Sequence, residues 1–130
     1  MIVLDASAAI ELILGTLDGT KVAARIADPA ETLHAPHLID IEVAQVMRRY
    51  ADLGTISGPR GRAALQDLAD LDLARYAHDA LLPRVWQLRR NLTAYDAAYV
   101  ALAEALGAPL LTLDARLAGA PGHRARIERP

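Results

Sequence analysis

Two short apolar segments that each end at an aspartate limit the possible folds more than any other feature. Residues 1–4 (Met-Ile-Val-Leu) end at Asp5, and residues 109–113 (Pro-Leu-Leu-Thr-Leu) end at Asp114. Uninterrupted apolar runs of this length are typical of strands buried on both faces of a parallel sheet. Longer segments with helical periodicity lie between them. Strands that alternate with helices predict an α/β fold with a mostly parallel central sheet and helices on both of its faces.

The remaining elements follow from apolar periodicity and from the positions of glycine and proline. Strands are predicted at 1–4, 32–35 and 109–113, and helices at 7–14, 19–28, 37–53, 59–70, 79–90 and 93–106. Residues 71–76 fit a strand or a loop equally well. The last ten residues fit one short edge strand or a disordered tail. The chain has 130 residues and no internal repeat, so we expect a single domain over 1–130.

Composition excludes several classes of protein. The chain contains no cysteine, which excludes disulfide scaffolds, cysteine nucleophiles and thiolate metal sites. No signal peptide and no uncharged apolar run long enough to cross a membrane is visible, so we expect a soluble, cytoplasmic protein without membrane contact. The formal net charge of −2 disfavours a protein that attracts nucleic acid through its overall field.

Four acidic residues stand where a site is expected. Asp5 and Asp114 follow apolar strands, and ligands of open parallel sheets bind beyond the carboxyl ends of the strands. Asp96 begins a helix whose next residues, 97–103, are apolar almost all round, so its carboxylate needs a partner. Glu42 lies at the border of the apolar face of helix 37–53. Each also has an ordinary explanation, as a helix cap for the three aspartates and as a boundary residue for Glu42.

Four carboxylates that meet at one sheet edge would repel each other unless a cation neutralised them. Oxygen ligands without cysteine favour a hard ion, Mg²⁺ or Mn²⁺, over zinc. Such an ion suits metal-assisted attack of water on a phosphodiester. The four histidines do not form a convincing zinc set.

The ordered set of motifs resembles the PIN-domain ribonucleases. It consists of the opening Ile-Val-Leu-Asp5-Ala-Ser7, a helix with Ile-Glu42-Val, the segment Leu-Thr-Ala-Tyr-Asp96-Ala-Ala-Tyr, and Leu-Leu-Thr112-Leu-Asp114. More narrowly, it is similar to the VapC-type toxins of bacterial toxin–antitoxin pairs. The resemblance covers residues 1 to about 118 and implies a three-layer α/β/α fold and Mg²⁺- or Mn²⁺-dependent cleavage of RNA.

The resemblance also implies roles for individual residues. Asp5, Glu42 and Asp96 match the acidic triad, and Asp114 matches a fourth acid. Asp5 and Asp96 are expected to bind the metal directly, and Glu42 and Asp114 directly or through water. The small hydroxyl positions Ser7 and Thr112 support the metal shell or the substrate phosphate, although a helix cap and a strand filler explain them equally well.

Arginine side chains are the candidates for contact with the RNA backbone, because the guanidinium fork matches phosphate oxygens. Of the 14 basic residues, Lys21 is the only lysine. The candidates are Arg48, Arg49, Arg89, Arg90 and Arg116, with Asn91 as a further polar contact, and each also fits an ordinary solvated helix face. The resemblance implies a VapB-like antitoxin as partner, with a homodimer and a toxin–antitoxin hetero-oligomer.

Three other functions are alternatives to that of a ribonuclease. A phospho-acceptor signalling domain would need a lysine on a late strand, but the only lysine is Lys21. An aspartate-nucleophile phosphatase would need a second carboxylate at the position that Ser7 occupies. The serious non-enzymatic alternative is a catalytically silent PIN-fold module that serves as a binding scaffold. Metal-dependent turnover separates that module from a ribonuclease.

Overall fold

A computed structural model describes residues 1–130 and contains one five-stranded sheet in which every neighbouring pair is parallel. The strands are β1 Ile2–Leu4, β2 Leu33–Pro36, β3 Leu73–Tyr76, β4 Leu110–Leu111 and β5 Ile127–Glu128. Their order across the sheet is β3-β2-β1-β4-β5. The chain moves outward from β1 to β3 and then returns to the other side of β1. This reversal creates a switch point between β1 and β4, where ligands of such sheets bind.

Seven α-helices and one 3₁₀ turn connect the strands. The helices are α1 Ala6–Leu14, α2 Leu17–Arg25, α3 Leu38–Asp52, α4 Gly58–Asp70, α5 Leu82–Gln87, α6 Ala94–Leu106 and α7 Ala115–Ala118, and the 3₁₀ turn is Asp79–Leu81. Right-handed crossovers place the helices that follow the reversal on the opposite face of the sheet from those that precede it. The predicted three-layer α/β/α fold with a parallel sheet is confirmed.

The core lies around β1 and α6. All three residues of β1 are fully buried, and every residue of α6 from Ala97 to Ala103 is buried. α6 packs against β1, β2 and β4, so it crosses the middle of the sheet next to the switch point. A helix that is apolar almost all round can only be accommodated in such a place. It therefore holds its first turn, with Asp96, close to the carboxyl ends of β1 and β4.

Two differences from the predicted elements involve a proline. The single helix predicted over 79–90 is a 3₁₀ turn followed by the short helix α5, because Pro83 occupies the first turn of α5 and cannot lie inside a helix. β2 extends to Pro36, one residue beyond the prediction. β1 pairs only with Leu33 and His34, so the missing N–H of Pro36 costs no hydrogen bond to β1.

Smaller differences occur at other ends. Helix α2 ends at Arg25 rather than at residue 28, β3 occupies most of the ambiguous segment 71–76, and β4 is shorter than the predicted 109–113. Near the C-terminus, β5 forms an edge strand against β4. The backbone N–H of Thr112 donates to the carbonyl of Glu128 at 3.0 Å. No helix combines the length and the apolar character that crossing a membrane requires.

Candidate active site

The switch point opens into a cavity of about 760 Å³ that all four predicted acids line. Asp5 follows β1 and Asp114 follows β4, and these strands pair in parallel. Glu42 comes from α3 and Asp96 from the first turn of α6. Four separate elements therefore bring one carboxylate each to the same cavity.

Asp5 is held by a network of hydroxyl groups. It is buried, and its Oδ2 accepts hydrogen bonds from Ser7 Oγ at 2.6 Å and Thr112 Oγ1 at 2.7 Å. Each hydroxyl in turn accepts a backbone N–H, that of Leu113 at Ser7 and that of Asp114 at Thr112, both at 3.0 Å. Asp5 stands at the N-cap of α1 but makes no capping hydrogen bond, so its side chain serves the cavity. Its Oδ1 receives no hydrogen bond from the chain and is free for another ligand.

Asp96 does not cap its helix either. Thr93 is the N-cap of α6, and its Oγ1 accepts the backbone N–H of Asp96 at 3.2 Å. The Asp96 carboxylate faces the cavity instead. Burial raises the pKa of Asp96, and the charges of Asp5 and Asp114 raise it further, while Arg116 and the Thr93 hydrogen bond lower it. The carboxylates are therefore close enough to repel each other.

Glu42 is oriented by Tyr99, a residue that sequence reasoning did not assign to the site. The buried Tyr99 hydroxyl donates to Glu42 Oε1 at 2.6 Å. Burial raises the pKa of Glu42, this hydrogen bond lowers it, and the charges of Asp5 and Asp96 raise it again. A tyrosine inside an otherwise apolar helix needs a partner for its hydroxyl, and that requirement could have pointed to Tyr99.

Asp114 caps a helix and also lines the cavity. Its Oδ1 accepts the backbone N–H groups of Arg116 at 2.8 Å and Leu117 at 3.4 Å, so it caps α7. Its Oδ2 lies 3.6 Å from Arg116 Nη2 and borders the cavity. The same guanidinium nitrogen lies 3.8 Å from Asp96 Oδ2. Arg116 thus stands between two of the four acids.

The structure brings only two of the candidate arginines to the cavity. Arg116 lines it, and so does Arg49, which lies two helical turns beyond Glu42 on the same face of α3. Arg48 projects from another face of α3 and pairs with Asp52 at 3.8 Å. The Arg89 guanidinium covers the ring of Trp86 at 4.4 Å instead.

The other polar candidates lie beside the cavity. Arg90 is exposed and is not part of the cavity wall. Asn91 lines a small neighbouring cavity of about 90 Å³ together with Asp96 and Arg116. Arg48, Arg89 and Arg90 therefore do not line the acidic cavity, whereas Asn91 shares the smaller cavity with Asp96.

The donor set fits a hard divalent cation. No three of the acidic or histidine side chains are arranged to hold one ion by themselves. Mg²⁺ commonly keeps several waters and binds proteins through one or two carboxylates, so a site with few direct ligands suits it. The charges of neighbouring acids raise the pKa of both Asp96 and Glu42, and such an ion would relieve this repulsion.

Comparison with known proteins identifies the family of the chain. The family profile described as the PIN domain matches residues 2–122. The chain is 48% identical over 117 residues to VapC ribonuclease Mb0985 of Mycobacterium bovis, which covers 90% of this chain and 88% of that protein. It is 45% identical over 128 residues to ribonuclease VapC12 of Mycobacterium tuberculosis, with 98% of both chains covered.

Solved structures share the fold at lower identity. PAE2754 from Pyrobaculum aerophilum superposes with a TM-score of 0.74 at 23% identity, over 97% of this chain and 81% of that one. The Mycobacterium tuberculosis VapC20, a Sarcin-Ricin loop cleaving toxin, superposes with a TM-score of 0.69 at 16% identity, over 95% and 99%. The chain therefore belongs to the PIN-domain family and, within it, to the VapC ribonucleases, the endoribonuclease toxins of toxin–antitoxin pairs.

Proposed function

We propose that Asp5, Glu42, Asp96 and Asp114 bind Mg²⁺ or Mn²⁺ and that the loaded site hydrolyses RNA. The observation that carries this proposal is the convergence of four carboxylates, from four elements, on one cavity in which they repel each other. A structural cluster of that kind would be costly without a cation to neutralise it. The membership of the chain in a ribonuclease family makes the phosphodiester bond of RNA the substrate that such an ion would act on.

The geometry leaves at least one oxygen of each acid open to the ion. Asp5 offers the free Oδ1, and Asp96 lines the same cavity without a capping hydrogen bond, so these two suit direct contact with the ion. Glu42 and Asp114 likewise keep one oxygen outside the hydrogen bonds within the chain and suit contact directly or through water. Ser7 and Thr112 keep Asp5 in one orientation.

Asp5, Glu42, Asp96 and Asp114 would hold the ion, which when bound would supply activation of water and neutralisation of the charge that develops on phosphate. Attack of that water on phosphorus would break the bond from phosphorus to the 3′ oxygen. The 3′ oxygen would take up a proton, so the products would be a 3′-hydroxyl and a 5′-phosphate. The exposed guanidinium of Arg116, next to Asp96 and Asp114, is placed to contact a phosphate oxygen at this rim.

The test is cleavage of structured RNA by purified protein in Mg²⁺. We expect Asp5→Asn and Asp96→Asn to reduce cleavage by at least about a hundredfold. Loss of a residue that only supports a metal ligand already lowers metal affinity or activity about 10–100-fold. EDTA should stop cleavage and Mn²⁺ should restore it. Asp52→Asn is the matched control, because Asp52 is an exposed acid of α3 that does not line the cavity. Cleavage that persists in EDTA and in both variants would contradict the proposal. An unmodified protein that cleaves no RNA in Mg²⁺ would favour a silent PIN-fold scaffold instead.

The partner is proposed from the same family. VapC toxins pair with VapB antitoxins, and a VapBC2 complex from Rickettsia felis bound to a promoter DNA fragment shares this fold with a TM-score of 0.70, over 99% of this chain and 98% of that one, at 14% identity. We infer that a VapB-like antitoxin binds this chain in the cytoplasm, where RNA is available, in a hetero-oligomer built on a homodimer. Gel filtration with and without the product of the neighbouring gene tests this assembly.

A further inference from the structure

Tyr95 is an exposed aromatic residue directly beside the acids. It occupies the first turn of α6, next to Asp96, and lines the acidic cavity. Its side chain is 61% exposed and makes no hydrogen bond or aromatic contact within the chain. The hydroxyls of Tyr99 and Tyr76, in contrast, bond to Glu42 and His34 inside the protein. Tyr95 therefore presents an unpartnered ring at the point where substrate would enter.

A second cavity of about 170 Å³ adjoins the acidic one at this residue. Tyr95 and Leu38 line both cavities, so the two spaces are neighbours. The rest of the second wall is His78 and aliphatic side chains: Leu81, Leu82, Val85, Ala94 and Ala98. No charged residue contributes. A flat, uncharged group is the ligand that such a space accommodates.

His78 adds one polar group to this wall. Its Nε2 accepts the backbone N–H of Leu38 at 2.9 Å. An imidazole nitrogen that accepts a hydrogen bond carries no proton, so in the neutral ring the proton resides on Nδ1. The Nδ1–H makes no hydrogen bond within the chain. The residues that line the cavity thus include an aromatic ring, aliphatic side chains and one imidazole whose Nδ1–H makes no hydrogen bond within the chain.

We propose that Tyr95 and the second cavity form a subsite for one nucleobase of the RNA, that of a nucleotide flanking the scissile phosphate. The base would stack on the Tyr95 ring, pack against Leu82 and Val85, and accept a hydrogen bond from His78 Nδ1–H. This inference rests on the proposed cleavage of RNA. It makes Tyr95 a residue that determines which sequence is cut, because stacking strength and the acceptor pattern differ between bases.

The first test measures binding without cleavage. In an Asp96→Asn background, fluorescence anisotropy would compare short oligo(U) and oligo(A) ribonucleotides with an abasic oligomer that has the same number of phosphates. Stacking on an aromatic side chain contributes about 1–3 kcal/mol per base, so we expect the base-bearing oligomers to bind about tenfold more tightly. Tyr95→Leu, which keeps an apolar surface but loses the planar ring, should abolish that difference. Tyr95→Phe should keep it.

Trp86→Ala is the matched control, because Trp86 is as exposed as Tyr95 but lines neither cavity. It should leave the difference in affinity between base-bearing and abasic oligomers unchanged. In the cleavage assay, Tyr95→Leu should lower kcat/KM about tenfold and leave the Mg²⁺ dependence unaltered.

Two results would overturn the subsite. One is a difference in affinity between base-bearing and abasic oligomers that Tyr95→Leu leaves intact. The other is a loss of affinity for base-bearing oligomers that Tyr95→Leu and Tyr95→Phe share, together with a change of oligomeric state in light scattering. That result would assign this surface to a second copy of the chain. Failure of the unmodified protein to cleave any RNA speaks against the proposed function itself. Cleavage without any effect of Tyr95 speaks against the subsite alone.

Discussion

Thr112 shows that the orientation of an acid in the cavity depends on a buried neighbour. Its side chain is fully buried, its hydroxyl donates to Asp5, and the same oxygen accepts the N–H of Asp114. It therefore connects the carboxyl ends of β1 and β4 through one atom. The sequence offered two explanations for this threonine, support of the metal shell or the substrate phosphate, or filling of a strand. The hydrogen bond to Asp5 across the sheet favours support of the metal shell.

Thr112→Val tests that role, because valine keeps the shape of threonine and removes the hydroxyl. We expect the Mg²⁺ concentration for half-maximal cleavage to rise about tenfold, since loss of an outer-shell partner costs about 10–100-fold in affinity or activity. Stability should fall by about 1–3 kcal/mol, because the buried hydroxyl both donates to Asp5 and accepts the N–H of Asp114. A stability loss with an unchanged Mg²⁺ titration would show that Thr112 only fills the strand.

The raised pKa of Asp96 gives a prediction about stability in the absence of metal. Burial is its largest cause, followed by the charges of Asp5 and Asp114. A carboxyl whose pKa is higher in the folded state binds more protons there than in the unfolded state, so its ionisation destabilises the fold as pH rises through that range. In EDTA, Asp96→Asn should therefore be more stable than the unmodified protein at pH 7, and the gap should shrink as the pH falls toward the ordinary carboxyl pKa. Urea unfolding of both proteins across this range measures the gap, and a gap that grows on acidification would contradict the cause.

At the scale of elements, most of the prediction depended on strand ends and helix ends with clear chemical signals. Asp5 and Asp114 marked the ends of β1 and β4, and Gly107 marked the end of α6. Pro83 carried the signal that divides the segment 79–90, but the apolar periodicity on both sides of it suggested one helix. Periodicity alone does not show where a proline interrupts hydrogen bonding.

The end of α6 provides a test with a built-in control. Gly107 adopts φ +61, and a Cβ there would meet nothing within 4 Å, so only backbone conformation opposes a side chain. Gly107→Ala should therefore destabilise the fold by about 1 kcal/mol. Gly58→Ala, at the first position of α4, is equally open and has no positive φ. It should be neutral or stabilise by about 0.4–1 kcal/mol, and both variants should keep full cleavage activity.

At the scale of the whole molecule, the contacts that complete the site join residues far apart in the chain. Tyr99 and Glu42 are separated by 57 positions, and Ser7 and Thr112 by 105. Four acids could be proposed from their local surroundings. Their partners could not, because the order β3-β2-β1-β4-β5 and the placement of α6 across it decide which side chains meet. The motif resemblance predicted the four acids as a set. The packing of the elements determines which side chains orient them.

Charge distribution predicts how RNA binding responds to salt. Setting the four site acids aside leaves 12 of the 16 acidic residues against 14 basic ones, so the shell around the cavity is nearly neutral. Only Arg49 and Arg116 line the cavity. Each phosphate contact of single-stranded RNA contributes about −0.7 to the slope of log affinity against log salt, so we expect a slope near −1.4 in the Asp96→Asn background. Arg116→Gln should reduce the slope by about 0.7, whereas a much steeper slope would indicate basic residues outside the cavity.

The short edge strand β5 supports the site from the C-terminus, so its loss should affect toxicity. Glu128 holds the backbone of Thr112 through the 3.0 Å hydrogen bond to its carbonyl, and Thr112 holds Asp5. A stop codon or frameshift at position 127 would therefore disarm the toxin while leaving all four acidic codons intact. Among colonies that survive induction of this gene, we expect such lesions near its 3′ end alongside the changes at Asp5 and Asp96.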